Sequence, residues 1–146
     1  MQRDPSLIPL SHQHHNALAL CVLTRRSLSA GETPANIEAL SRRIVERYEL
    51  ELANHFDIEE QVLFPVCGAL APIEELLADH RMIGALVAEL RSSPSAALLE
   101  RFCELLARHI RREENELFQQ VQETLPRHVL DEAGREIGRR ADRLRL

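Results

Sequence analysis

Apolar residues recur at helical spacing in long segments of the chain. Each set places its side chains on one face of a helix, and none shows the alternation of a strand. The sets are Ile37, Ile44, Tyr48 and Leu52; Ile73, Leu76, Leu77, Ile83, Val87 and Leu90; and Leu98, Phe102, Leu105 and Leu106. The pattern predicts an all-α fold.

Capping residues, prolines and glycines divide this pattern into helices. We expect helices over about 11–31, 33–64, 72–92, 93–125 and 128–143. Ser11 and Thr33 can cap the first two, and Pro65 should end the second. The last is weaker because Gly134 and Gly138 interrupt it.

Short loops between four long helices predict an up-down-up-down four-helix bundle. We expect one domain over 1–146, with the bundle at about 10–125 and a C-terminal helical extension at about 127–145. That extension offers the one obvious surface that the four-helix bundle does not itself require.

Histidines and glutamates continue the apolar stripes. Leu52 is followed on its face by His55 and Glu59, and Leu106 is followed by His109 and Glu113. In the third helix, Leu77 leads to His80 in the same way. Burying such groups without partners is costly, and metal ions compensate for that cost.

Segments 55–64 and 109–118 repeat each other at an offset of 54 residues. The His, both Glu, the Leu and the Phe match. A His and a Glu four residues apart share a helical face, so two facing copies could supply two imidazoles and two bridging carboxylates. A single motif of this kind is usually a surface ion pair. A plain structural bundle with incidental histidines is therefore the alternative.

The first helix offers two candidate ligands. His14 shares a face with Leu18, Cys21 and Leu28, whereas His15 shares one with Leu18 and then with polar positions. The pattern favours His14, and His15 stays open as the alternative. In an antiparallel bundle, all four helical contributions then lie toward the same end.

Four imidazoles and two carboxylates are too many for one tetrahedral ion. They suit two ions that share both carboxylates, and the mixed ligand set favours iron, with manganese or zinc as possible substitutes.

The His-xxx-Glu-Glu-xx-Leu-Phe segments, Asp79-His80-Arg81 and Ser11-His12-Gln13-His14-His15 resemble the hemerythrin-like, or HHE cation-binding, family over roughly residues 7–125. The resemblance implies a non-haem di-iron centre with an oxo or hydroxo bridge, in which Glu59 and Glu113 bridge the irons. The metal ligands that it implies are a first-helix histidine (His14 favoured), His55, Glu59, His80, His109 and Glu113.

One position departs from the oxygen-carrying members of that family. They have a second histidine one turn after the third-helix ligand, and here that residue is Gly84. We expect Gly84 to leave room for an exogenous ligand such as O2, NO, peroxide or azide. Glu60 and Glu114 are expected to face solvent or to hydrogen-bond coordinating histidines.

The resemblance implies a protein that binds or senses O2, NO or iron during redox or nitrosative stress. The alternative is a di-iron redox enzyme that reduces peroxide or NO, or that repairs iron–sulfur clusters. No nucleophile–base constellation or phosphate loop is apparent, so no catalytic residue is assigned. A sensor would need a protein partner, which the sequence does not identify, and a homodimer is possible.

Composition narrows the setting. The formal net charge of −5 makes nucleic acid an unfavourable partner. No apolar stretch reaches membrane-spanning length. Three cysteines without a CxxC pair do not suggest a secreted disulfide scaffold, and the N-terminus lacks a signal-peptide pattern, so we expect a cytoplasmic protein.

Overall fold

The computed structural model describes residues 2–70 and 72–142, and these contain no strand. Helix α1 is Ile8–Ala30, preceded by a 3-10 turn at Pro5–Leu7. Helix α2 (34–67) joins Pro34–Arg47, Ala53–Ile58 and Phe64–Cys67 through π-helical turns at Tyr48–Leu52 and Glu59–Leu63. Helix α3 is Ile73–Ser92. Helix α4 (96–124) joins Ala96–Arg112 and Phe118–Thr124 through a π-helical turn at Glu113–Leu117, and helix α5 is Arg127–Asp142.

Helices α1 to α4 form the predicted up-down-up-down bundle. Each helix packs against the next along the chain, and α1 also packs against α4. The short connections force neighbouring helices to run antiparallel. The all-α prediction is therefore confirmed.

Three helix boundaries differ from the prediction. Asp4, not Ser11, caps the first turn, because its carboxylate accepts the Ser6 N–H at 3.0 Å. The fourth helix begins at Ala96, after the N-cap Ser95, and not at the expected position 93. Pro65 does not end the second helix, which continues to Cys67.

The end of the second helix is set by Gly68 instead. Its φ of 63° lies in the left-handed region, which a glycine adopts without steric cost. Pro65 is separated from the end of the π-helical turn by one residue and lies in the first turn of Phe64–Cys67, where its missing N–H is tolerated. The predicted Thr33 cap is confirmed, since Thr33 Oγ1 accepts the Asn36 N–H at 3.2 Å.

Two apolar clusters fill the interior. The inner cluster lies toward the α1–α2 loop and includes Cys21, Ile44, Leu90 and Phe102. The outer cluster lies toward the other end of the bundle. It includes Leu7, Leu10, Ile58, Leu63, Leu76, Leu117, Phe118, Leu130 and Ile137. On each bundle helix, the predicted metal-binding histidine falls between residues of the two clusters.

Helix α5 packs one face against the rest of the fold and leaves the other exposed. Leu130, Ala133 and Ile137 are buried, and Leu130 and Ile137 belong to the outer cluster. Gly134 does not interrupt the helix: a Cβ there would lie 2.8 Å from Ser6 Cα, so glycine allows the closest approach of α5 to the N-terminal turn. Arg127 donates to the Asp4 carboxylate at 2.7 Å and 3.0 Å.

None of the helices within 2–70 and 72–142 has the length and apolar character needed to cross a membrane.

Candidate metal centre

The six residues predicted as ligands come together between the two apolar clusters. All six are buried, and they form two overlapping groups that share Glu59 and Glu113. One group adds His14 and His55, and the other adds His80 and His109; within each group the candidate ligand atoms lie within 4.8 Å of one another. On α1, His14 points into the cluster, whereas His12 and His15 are exposed.

The closest contacts in the cluster cross between helices. His14 Nε2 lies 2.7 Å from Glu113 Oε1, and His80 Nε2 lies 3.1 Å from Glu59 Oε1. Each single histidine of α1 or α3 therefore meets the carboxylate of a repeated motif on another helix.

Within each motif, the histidine and glutamate face the same point, as their four-residue spacing predicts. His55 Nε2 lies 3.4 Å from Glu59 Oε1, and His109 Nε2 lies 3.3 Å from Glu113 Oε2. Neither contact is a well-formed hydrogen bond, so these atoms are close without satisfying one another.

Four polar atoms at the centre have no hydrogen-bond partner. They are His55 Nε2, Glu59 Oε2, His109 Nε2 and Glu113 Oε2, and all are inaccessible to solvent. Unsatisfied buried polar atoms are rare because each costs free energy. Imidazole nitrogens and carboxylate oxygens close to one another are a donor set that transition-metal ions prefer, so the residues fit a metal site.

The outer nitrogens of the single histidines are held by glutamates. His14 Nδ1 lies 2.6 Å from Glu114 Oε2, and His80 Nδ1 lies 2.7 Å from Glu60 Oε2. Glu114 and Glu60 directly follow Glu113 and Glu59, the glutamates that lie against the inner nitrogens of the same two histidines. Hydrogen bonding to the candidate ligands, one of the two roles predicted for Glu60 and Glu114, is observed for both, and Glu60 is also exposed to solvent.

The outer nitrogens of the motif histidines have partners that sequence reasoning missed. His55 Nδ1 lies 2.8 Å from Gln13 Oε1, and His109 Nδ1 lies 3.0 Å from Asp79 Oδ2. Because these oxygens only accept hydrogen bonds, each Nδ1 carries a proton, and the Nε2 atom of each ring faces the centre, where it offers a lone pair once the ring is neutral. The available signal was position, since both residues directly precede a single histidine.

A sequence profile of the hemerythrin HHE cation-binding domain matches residues 9–121, which is more than half of the chain. The chain belongs to this family. No curated protein and no solved structure matched it. The predicted resemblance is confirmed, and the buried His and Glu groups fit the cation binding that the family description implies.

Protons are shared unevenly among the groups of this HHE domain. Burial disfavours charged imidazoles, but hydrogen bonds to Glu113 and Glu114 outweigh it and raise the pKa of His14 to about 9. The pKa of His109 rises to about 10, because the Glu113 charge and the hydrogen bond to Asp79 outweigh burial. By contrast, burial and the nearby His14 lower the pKa of His55 to about 4.

The two central carboxylates are a coupled pair. Burial and the neighbouring Glu113 charge raise the pKa of Glu59 to about 8. Burial opposes ionisation of Glu113 too. However, the charge of His109 and the hydrogen bonds that Glu113 accepts outweigh burial and hold the Glu113 pKa well below its usual range. One proton therefore resides on Glu59 at neutral pH when only protein groups surround it.

Aromatic rings wall the HHE centre. Phe118 stacks on His14 with ring centroids 5.6 Å apart, and Phe64, its counterpart in the other repeat, stacks on His80 at 5.7 Å. Phe56 stacks more closely on His80, at 4.0 Å. These apolar rings exclude water from the imidazoles.

The space beside Gly84 is bordered by Tyr48. A Cβ at position 84 would lie 3.3 Å from the Tyr48 hydroxyl oxygen. The Tyr48 ring meets Phe56 edge-on at 6.3 Å. The room predicted beside Gly84 is thus bordered by the half-buried Tyr48 phenol.

Proposed function

We propose that this HHE domain holds two iron ions and uses them to bind or sense O2, NO or iron. His14 and His55 would hold one ion, His80 and His109 the other, and Glu59 and Glu113 would contact both. The observation that supports this most strongly is the set of four buried, unpartnered nitrogen and oxygen atoms aimed at one centre. Manganese and zinc remain the competing metals.

When bound, an iron pair supplies redox chemistry and coordination positions for a small ligand. The protein itself orients the imidazoles and excludes water from them. The outer hydrogen bonds fix each imidazole, and Phe56, Phe64 and Phe118 keep water from the rings. We place the protein in the cytoplasm, where its buried free thiols Cys21, Cys67 and Cys103 would stay reduced.

The first test counts metal. Purified protein reconstituted with Fe²⁺ and oxidised should hold two irons per chain and show the charge-transfer absorption of a ferric pair. His55→Ala and Glu113→Ala should each lose most of the iron, because each removes a buried donor. His15→Ala is the matched control, since His15 is exposed and should keep both irons.

Iron content near zero after reconstitution would contradict the proposal, and so would full retention in both variants. The enzymatic alternative is separated by turnover. Sustained consumption of peroxide or NO by the loaded protein would favour an enzyme, whereas saturable binding without turnover would favour a binding or sensing protein.

A further inference from the structure

The hydrogen bonds around the centre have an approximate two-fold pattern. One half of the centre is formed by His14 and His55, and the other by His80 and His109. The residues that precede His14 and His80 contact His55 and His109, respectively. The glutamates that follow Glu113 and Glu59 contact His14 and His80, respectively. The pattern is broken at one pair of positions: Gln13 in one half corresponds to Asp79 in the other.

The half formed by His80 and His109 has two carboxylate partners. Asp79 accepts from His109, and its closest cation is Arg112, at 4.0 Å. Glu60 contacts His80, and within the described residues it has no other hydrogen bond or ion pair.

The half formed by His14 and His55 is poorer in negative charge. Gln13 is a neutral amide, and its orientation is fixed because its Nε2 donates to Asn54 Oδ1 at 3.3 Å. The other partner, Glu114, is shared: the Arg3 guanidinium donates to its carboxylate at 3.0 Å.

A further donor draws on the same carboxylate. Ser11 Oγ donates to Glu114 Oε2 at 2.7 Å, on the oxygen that also faces His14 Nδ1. The negative charge available to His14 is therefore divided among three donors of the protein, whereas the exposed Glu60 has His80 as its one partner among the described residues.

A carboxylate on the outer nitrogen raises the basicity of a coordinating imidazole, and changing such partners typically alters metal affinity about 10- to 100-fold. We propose that the two metal positions are inequivalent, and that the position of His80 and His109 binds a divalent cation more tightly and fills first. Asp79 and Gln13 act as positioning residues that set this order. The inference rests on the proposed two-metal function.

The test is a titration of the metal-free protein with Co²⁺ against a competing chelator, followed by the visible absorption of bound Co²⁺. The native chain should show two association constants. Asp79→Asn should lower the larger association constant roughly tenfold or more, and Gln13→Glu should raise the smaller one. Each variant should therefore reduce the ratio of the two constants. The Asn54 amide can rotate to donate to the new carboxylate, which keeps the packing around position 13.

Opposite effects on affinity distinguish tuning from a structural role, because damage to the fold would weaken binding in both variants. If the ratio of the two association constants increased in both variants, the half formed by His14 and His55 would be the tighter one, and this would overturn the proposal. Equal constants in the native chain, or constants unchanged by either variant, overturn it as well. Absence of any bound metal would instead contradict the proposed function itself.

Discussion

Gly84 lies one turn after His80 on α3, beside the Tyr48 hydroxyl. Gly84→Leu would place a branched side chain where a Cβ alone would lie 3.3 Å from the Tyr48 hydroxyl, so Tyr48 would have to move or the new side chain would fill the ligand space. We expect azide affinity of the ferric protein to fall at least tenfold. The measurement is an azide titration followed by absorption.

Met82→Leu is the matched control for that substitution, because it adds the same residue at an exposed position of the same helix. It should leave azide affinity unchanged. Equal azide binding by Gly84→Leu and the native chain would show that Gly84 does not serve as ligand space.

At the residue scale, the positions of residues relative to the apolar stripe of each helix predicted which side chains come together in the interior. His55, His80 and His109 lie where apolar residues were due, so burial without partners was foreseeable from spacing alone. Gln13 was not foreseeable as a partner of His55, because that contact joins different helices and depends on how α1 is rotated about its axis. The Tyr48–Gly84 contact was missed for the same reason.

At the scale of elements, the helical pattern gave the number and order of the helices but not their irregularities. Two π-helical turns begin at Glu59 and Glu113, again 54 residues apart. Each adds a residue to one turn and lets two consecutive residues, Leu63–Phe64 or Leu117–Phe118, both be buried. A regular 3.6-residue period does not represent such a turn, so the sequence pattern did not reveal it.

The contact between α5 and the N-terminal turn can be tested with the two glycines of α5. Gly134→Ala would place a Cβ 2.5 Å from Ser6 Cβ and 2.8 Å from its Cα, which forces the backbone apart. We expect a loss of about 1–3 kcal/mol in the free energy of unfolding, typical of overpacking. Urea denaturation followed by circular dichroism measures it.

Gly138→Ala provides the control, since a Cβ there meets nothing within 4 Å. It should stabilise the protein by up to about 1 kcal/mol through helix propensity. Equal stability of the Gly134→Ala and Gly138→Ala variants would contradict the close packing of α5 on Ser6.

At the scale of the whole molecule, the polar centre divides one apolar interior into two clusters. The inner cluster is closed by bundle helices alone, whereas the outer cluster also needs Leu7, Leu130 and Ile137 from outside the bundle. The N-terminal turn and α5 thus cover the end of the bundle at which the metal centre lies. This arrangement explains why the C-terminal helical extension contributes buried residues to the core.

Metal binding must displace the protons that the centre holds, since coordination requires neutral imidazoles and ionised carboxylates. The raised pKa values of His14 (about 9), His109 (about 10) and Glu59 (about 8) keep all three protonated at pH 7, whereas His55 (about 4) is neutral. Binding of the ions should therefore release two to three protons, and metal affinity should rise with pH.

The rise should be roughly 100- to 1,000-fold per pH unit near neutrality for the loading of both ions, and it should flatten as the pH passes the raised values and the groups lose their protons unaided. Calorimetric titration with Co²⁺ at pH 7, in buffers of different ionisation enthalpy, counts the protons released. His15→Ala should give the same count, because its imidazole is exposed and lies outside the cluster. Release of less than one proton, or an affinity that is constant between pH 6 and 8, would show that the centre is not held protonated by its own carboxylates.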